Sequence, residues 1–571
     1  MTELYFLPLA GQDEYGGGCF ALIINDDIFI FDAGAKKPFQ NALGVKRVLP
    51  DTNWLELNKD RVKAVLIGNP SSLTTDGLLH LVNKINPKLP VYVTELGKMF
   101  IEPNFSHEIH KNESNFTFNF HIINPKEPFY VAYHKFIPFT TFSGIPLSVG
   151  FIIKDNDGDV IIINDFILNN DYSKLYINSL SDLPLLAHNV KLLIVSAGNV
   201  SNSIGFTTPN FKIENFILNS IQSSHGRVII CFYEDQLYYL YALAKMARQL
   251  HRTFIIYSMA SVNVFAASIK MKLFNSNNLI TLPISEINNT DNSIIAVVNK
   301  VSELYGTLKS IIAESDKHLI AKKDDLFLLC TGRIPGVEKI EADIIDDYTK
   351  AEIPMIKMPS DILPIKASVE DQKYLIRLVK PRHVIPINGL YKDFVNYRDA
   401  ISATGINPEL VHIVYNGEVF NLNKPNDKME HVALTEKYVD NLMFDNEVDY
   451  PILFERERMS TDGFAQLIIL FSIIKDKVIL VKSDLNLVGV VDKSFLESTK
   501  YKELLNLLWE KIKTYFSTLN SKDYDNKEMK NSLKKITDKF LEKQLNKKPL
   551  LLVIISQIKS DDLTNDKATN N

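Results

Sequence analysis

The sequence predicts an α/β protein built in three parts, and three observations carry that prediction. Short β-rich runs alternate with turns up to about Gly205. Beyond it, buried strands alternate with amphipathic helices, the pattern of βαβ units around a parallel sheet. A last small unit, from Tyr450 to Ile555, reads as three strands with two helices between them, which is α+β.

Each element follows from local pattern. CFALIINDDIFIFDAG carries two apolar runs around Asn25-Asp26-Asp27 and reads as a hairpin with a polar turn. VKAVLIGNP, from Val62, is a buried strand ending in a loop. TDGLLHLVNKINPKLPVYVTE is a helix closed at Asn86-Pro87 and followed by a strand, with Asp76 as the expected cap of GLLHLV. FIIKDNDGDVIIINDF is a second hairpin, turning at Asn156-Asp157-Gly158. Phe216–Ser223 and Asp235–His251 read as helices flanking the strand RVIICFY. Phe254–Tyr257, Ile294–Val298 and Asp325–Cys330 are further strands, and Glu370–Val379 and Phe394–Ala403 further helices. Lys424–Asp449 is polar and charged and reads as a linker. In the last unit the strands are Ala465–Ile474, Lys477–Lys482 and Leu550–Ile555, and Lys559–Asn571 reads as a disordered tail.

Composition narrows the class. The chain has 571 residues, too many for one ordinary domain, and 46% hydrophobic with 23% charged residues is a globular balance. No window is long and apolar enough for a transmembrane helix, and the N-terminus lacks the basic start of a signal peptide. Cys19, Cys231 and Cys330 have no CxxC spacing, which argues for a reducing cytosol and against a cysteine zinc site. A net charge of −5 excludes a basic nucleic-acid coat, although Tyr501–Leu550 is locally lysine-rich. No phosphate-binding GxxxxGK[ST], no G-x-S-x-G and no H-E-x-x-H occurs. Gly16-Gly17-Gly18 leads into a strand rather than a helix. It reads as a tight turn bringing backbone close to a site.

Nine strings, in order, resemble ribonuclease J, a bacterial ribonuclease with a metallo-β-lactamase core, an inserted β-CASP domain and a C-terminal domain. They are LAGQDEYGGGCFALI, IFIFDAG, LGVKRVLPDTNWL (through Gly44, Leu49, Pro50 and Asp51), SGIPLSVGF, INDFIL, GRIPGVE, KPRHVIPINGLYKDF, RERMSTDGFAQLIILF and NKKPLLLVII. The resemblance implies a metallo-β-lactamase αββα sandwich over 1–204 and 358–423, an inserted β-CASP α/β domain over 205–357, a linker over 424–449, and a small C-terminal α+β association domain over 450–571.

It also implies where chemistry should lie. Active members hold two zinc ions with about seven His and carboxylate ligands, which activate a bridging water. The H-x-H-x-D-H loop falls on GNPSSLTTDG, so four ligand positions fall among Asn69, Pro70, Ser71, Ser72, Leu73, Thr74 and Thr75. The next three fall on Ser143, Asp165 and Asn388, and only Asp165 keeps a ligand. Asp165 then needs a structural role, such as bonding to nearby backbone N–H groups. The phosphate-binding H-x-S-G-H segment falls on Ile362–Lys366, with no His, and Pro364 there lacks a backbone donor. Asn199 and Glu303 survive from two other motifs. Lys366, Ser368 and Arg333 are the candidates for touching RNA phosphate. His107 and His110 have no third ligand identifiable near them.

What the resemblance implies for function is a cytoplasmic ribonuclease J-like protein of RNA processing and decay. Its own two-metal centre is expected to be lost and no cofactor is expected. Its expected partners are an active ribonuclease J paralogue or a second copy, joined through the C-terminal domain, with RNA held weakly and no membrane. The alternatives are an active 5′-to-3′ exo- or endoribonuclease with an atypical centre, and a stand-alone RNA-binding scaffold.

Overall fold

The computed structural model describes residues 2–38, 42–111, 116–168, 174–197, 200–202, 205–207, 210–332, 334, 336–359, 366–440, 447–475, 477–519 and 525–558. The chain divides into two compact units, Met1–Glu447 and Val448–Asn571.

The predicted first hairpin forms. Cys19–Ile24 pairs antiparallel with Asp27–Phe31, and Asn25 turns the chain at a positive φ of 53°. Asn tolerates that left-handed geometry better than most residues. Leu4–Ala10 and Glu418–Asn421 add on one side of this hairpin. Val62–Leu66, Pro90–Val93 and Asn119–Ile122 add in parallel on the other, completing most of an eight-stranded sheet.

A second sheet of six strands runs His383–Ile387, Leu192–Ser196, Val160–Ile163, Val149–Lys154, His134–Thr140 and Phe129–Val131. The two sheets close on one apolar layer. Phe20, Phe29 and Phe31 of the first meet Phe136, Phe151, Ile162 and Ile194 of the second. Helices Leu78–Ile85 and Glu95–Lys111 cover the first sheet's outer face. Helices Val369–Val379 and Tyr391–Ser402 cover the second's. The result is the expected αββα sandwich.

Leu192–Ser196 and His383–Ile387 are direct parallel neighbours, in register from Leu192↔His383 to Ser196↔Ile387. Between them in sequence lies a separate five-stranded, all-parallel sheet, Thr253–Tyr257, Ser293–Asn299, Val228–Tyr233, Leu326–Leu329 and Met355–Lys357. Its central strand is buried on both faces, as all-parallel sheets are. The insertion therefore leaves one strand of the sandwich and returns to the next.

In the second unit, Phe464–Ile474 pairs antiparallel with Lys477–Val488 and parallel with Leu550–Gln557. Burial alternates along all three strands. Ala465, Leu467, Ile469, Leu551 and Val553 pack against helices Thr499–Ser517 and Asn526–Leu545. The second strand runs to Val488, beyond the expected Lys482, because its continuation still alternates Leu485 and Leu487 inward with Asp484 and Asn486 outward.

Three expectations need correction. Asp76 does not cap the helix Leu78–Ile85. Gly77 occupies that N-cap, and Asp76 instead ends a short helix, Ser72–Thr75. Helices begin earlier than expected, at Asn210 rather than Phe216, where Ile213 already continues the buried row of Ile217 and Ile221, and at Tyr391 rather than Phe394, where the polar first turn Tyr391-Lys392-Asp393 precedes the first buried apolar residue. The segment read as a linker carries three short strands among its described residues. Glu430–His431 extends the first sheet, Lys437–Val439 pairs with Arg47–Leu49, and Glu447–Val448 is the third. The tail Lys559–Asn571 lies outside the described residues. Among the described residues no helix is long and apolar enough to cross a membrane.

The inserted sheet has its own buried ion pair. Arg227 donates from Nε and Nη2 to the two Asp325 oxygens at 2.8 and 2.6 Å, and to the Ile320 carbonyl at 2.7 Å. Both side chains are almost wholly buried. Removing one partner strands the other charge in a poorly solvated place. Arg227→Met should therefore cost about 3–5 kcal/mol. Arg227→Met/Asp325→Leu should regain much of it, read as the thermal midpoint of each variant.

Candidate functional site

The loop after strand Val62–Leu66 is aimed by a close approach. The Gly68 carbonyl accepts from Val149 N–H at 2.9 Å, and a β-carbon on Gly68 would sit 2.4 Å from the Val149 carbonyl oxygen. Only glycine lets the first sheet's loop touch the second sheet there. This contact delivers Asn69 to Asp165, which follows the second sheet's strand Val160–Ile163.

The resulting cluster is a chain of amides and hydroxyls. Asn69 Nδ2 donates to Asp165 Oδ2 at 3.2 Å, so that carboxylate is held by a side-chain amide rather than by the expected backbone groups. Ser148 Oγ donates to Asn69 Oδ1 at 3.2 Å, and Ser143 Oγ to Ser148 Oγ at 2.9 Å. Thr74 Oγ1 donates to the Asn69 carbonyl at 2.6 Å and accepts from Ser71 N–H at 2.9 Å, folding the loop onto itself. On the opposite flank Asn388 donates to Asn164 at 2.6 Å, and Asn164 donates to Asp32. Burial pushes the Asp32 carboxyl well above the usual carboxylate range, against the pull of the Asn164 bond.

The structure thus joins Asn69, Ser143 and Asp165 in one network, while Asn388 belongs to a second chain of bonds through Asn164 to Asp32. Ser71 and Thr74 serve as a capping pair for Ser72–Thr75. The Gly16-Gly17-Gly18 turn does approach the site: a β-carbon on Gly18 would lie 2.6 Å from Asn388 Oδ1.

Two charged groupings flank this network where the inserted sheet meets the sandwich. In one, Asp76 is buried between Lys37 at 2.9 Å and Lys300 at 3.1 Å, while Arg47 donates to its carbonyl. Burial alone would raise the Asp76 carboxyl, but Lys37, Lys300 and Arg47 outweigh it and hold it down at about 2. Glu234 joins them by accepting from Ser72 N–H at 3.2 Å. In the other, Lys366 lies 4.0 Å from Asp235. The Asp165 charge, opposed by burial and helped by Tyr15 and Asp235, holds the Lys366 ammonium above the ordinary lysine range. Burial pushes the Tyr15 hydroxyl up to about 12.

Ser368 is buried and caps helix Val369–Val379. Its hydroxyl donates to the Gly205 carbonyl at 2.6 Å and lies 2.9 Å from Asp371 Oδ2. Arg333, Asn199 and residues 362–365 lie outside the described residues, as do the side chains of His107 and His110. Glu303 stands in the first turn of helix Val301–Ile312. Asp32, Asn164, Ser148, Lys37, Lys300 and Glu234 are parts of the site that motif reading missed. Asn164 and Ser148 lie inside quoted motifs, INDFIL and SGIPLSVGF, yet only the fold shows which atoms they meet. Among the described residues no group of three or more His, Cys, Asp or Glu side chains is placed to hold a metal ion.

This sandwich with an inserted parallel sheet and a terminal α+β unit is matched by comparison with known proteins. Residues 451–558 match the model of the ribonuclease J C-terminal domain. The chain is similar to an uncharacterised protein of Mycoplasma pneumoniae, the MG423 homolog, at 34% identity over 98% of this chain and 100% of the relative. It is similar to Ribonuclease J 2 of Streptococcus pyogenes at 23% identity, over 98% and 100% respectively. A crystal structure of a protein of unknown function from Enterococcus faecalis shares the fold, with a TM-score of 0.50 and 12% identity over 73% of this chain and all of that one. The chain belongs to the ribonuclease J family.

Asp76 gives a pH signature. Its folded-state value lies below the unfolded one near 3.9, so its stabilisation is fully present above about 4 and is lost as pH falls through about 2. Asp76→Asn should lower the unfolding free energy by about 2–3 kcal/mol at pH 7. The gap between variant and parent should close toward pH 2, as followed by denaturant titration across that range.

Proposed function

We propose that this chain is a ribonuclease J-like protein of bacterial RNA processing and decay whose own two-metal centre has been lost. It acts as a non-catalytic or weakly catalytic partner of an active ribonuclease J. The observation that carries this reading is the donor set. At the seven positions where the family would place ligands, one carboxylate stands among neutral amides and hydroxyls, and most of these are already bonded to one another. Zinc is bound by imidazole, thiolate and carboxylate, and a zinc pair needs several such ligands. These residues do not fit it. Without that pair nothing here lowers the pKa of an attacking water toward 7.

The second unit supports the partnership. Its sheet packs one face on its helices, while the other presents Leu552, Ile554, Ile479 and Val481, each more than a third exposed. A sheet face of that character fits an association surface. The partner is an active ribonuclease J chain, or a second copy of this one. RNA binds weakly and with strong salt dependence, through Lys530, Lys534, Lys535, Lys539 and Lys543 on the outside of Asn526–Leu545. The three buried free cysteines suit a reducing cytoplasm.

Purified protein should carry no stoichiometric zinc or manganese. It should show no EDTA-sensitive 5′-to-3′ degradation of 5′-monophosphorylated RNA, and it should capture an active ribonuclease J. Robust metal-dependent degradation that Asp165→Ala abolishes would refute the reading. Leu552→Asp/Ile554→Asp should remove the capture without unfolding Met1–Glu447, as judged by retained circular dichroism and a shifted sedimentation profile. Converting the five lysines to glutamine should flatten the dependence of log affinity on log salt. An unchanged slope would move RNA binding elsewhere.

A further inference from the structure

One lysine stands where carboxylates converge. Asp165 follows strand Val160–Ile163 of the sandwich, and Asp235 follows strand Val228–Tyr233 of the inserted sheet. Lys366 stands just before helix Val369–Val379, beside Asp235 and within the field of Asp165. It lies 4.0 Å from Asp235, and the Asp165 charge helps hold its ammonium above the ordinary lysine range. Tyr15, from the glycine-rich loop, is the third group in the same field.

We propose that Lys366 is a built-in counter-cation, a positioning residue that ties Asp165 of the sandwich to Asp235 of the inserted sheet and keeps divalent cations out of the space between them. Two carboxylates facing one partly buried space repel, and a positive charge beside them offsets that repulsion. An ammonium does this with one fixed charge and three donors. A dication would do it with ligand exchange and an open coordination position. The two cannot share the space, because their charges repel and the same oxygens would serve both. Lys366 is therefore occupied by carboxylates and is not offered to RNA phosphate. The inference stands on this placement and does not depend on whether the chain pairs with an active relative.

The test uses the full-length chain, manganese chloride as the probe, paramagnetic resonance titration and thermal melting. Lys366→Met should melt below the parent and should gain one manganese ion per chain, bound more tightly than any in the parent. Manganese should raise its melting temperature. Lys366→Arg and the charge-balanced pair Lys366→Met/Asp235→Asn should gain none. The inference is overturned if folded Lys366→Met gains no manganese, or if the parent binds it as tightly and Asp165→Asn removes it. It is also overturned if RNA affinity falls in Lys366→Met while melting stays unchanged, since the lysine would then serve phosphate. Should Lys366→Met not fold, the pair decides: a folded pair supports the tie, and an unfolded pair rejects it.

Discussion

The junction between sandwich and inserted sheet rests on one constraint: buried carboxylates need partners. Asp32, Asp76 and Glu234 are buried there, and Asp165 and Asp235 lie partly buried beside them. An ionised carboxylate taken from water without compensation costs several kcal/mol. The chain meets the demand in two ways. Amides cover Asp32 and Asp165, from Asn164 and Asn69. Ammonium groups cover Asp76 and Asp235, from Lys37, Lys300 and Lys366. Neither solution needs anything outside the chain.

The position of that junction is a consequence of topology. The inserted sheet departs after Leu192–Ser196 and returns at His383–Ile387, two adjacent parallel strands of the sandwich. Ser148, Asp165 and Asn388 follow strands of the same sheet or bound them, so a single register sets their separation. The register of that sheet is in turn fixed by packing on its two covered faces, since a one-residue slip would exchange the side chains that meet the first sheet with those that meet the helices. Core packing alone can thus hold the geometry of the site whatever polar side chains occupy it.

This explains what was legible in the sequence and what was not. Strands such as Cys19–Ile24, Val228–Tyr233 and Phe464–Ile474 announce themselves by apolar period, and the motif order gave the sandwich and its insertion. The resemblance also pointed to Ser143, Asp165 and Asn388, and to the loop Asn69–Thr75 without fixing which of its residues matter. Their bonding was not legible. Asp76 sits one residue before an apolar helix and looks like its cap, yet its side chain answers to Lys300, which is far away in sequence. Ser368 resembles a phosphate contact until the chain folds Gly205 against it. Polar contacts of long sequence separation leave no periodic trace, because each depends on one pair of atoms rather than on a repeating face.

The same separation of layers bears on how such a chain can change chemistry while keeping its shape. Removing a metal from between carboxylates exposes their mutual repulsion, so ligand loss and charge replacement have to travel together. Exchanging His or Asp for Asn, Ser or Thr removes charge and supplies donors at similar size, and a lysine supplies the remaining positive charge. The apolar layer below, where the Phe31 and Phe151 rings meet and Ile162 packs in the same cluster, carries no charge to be exchanged. On the proposed reading, the scaffold and the outer face of the terminal sheet are what the protein still uses. On the same reading the cluster of Asn69, Ser148, Ser143 and Asp165 serves as a piece of structure, held by its own amides and hydroxyls.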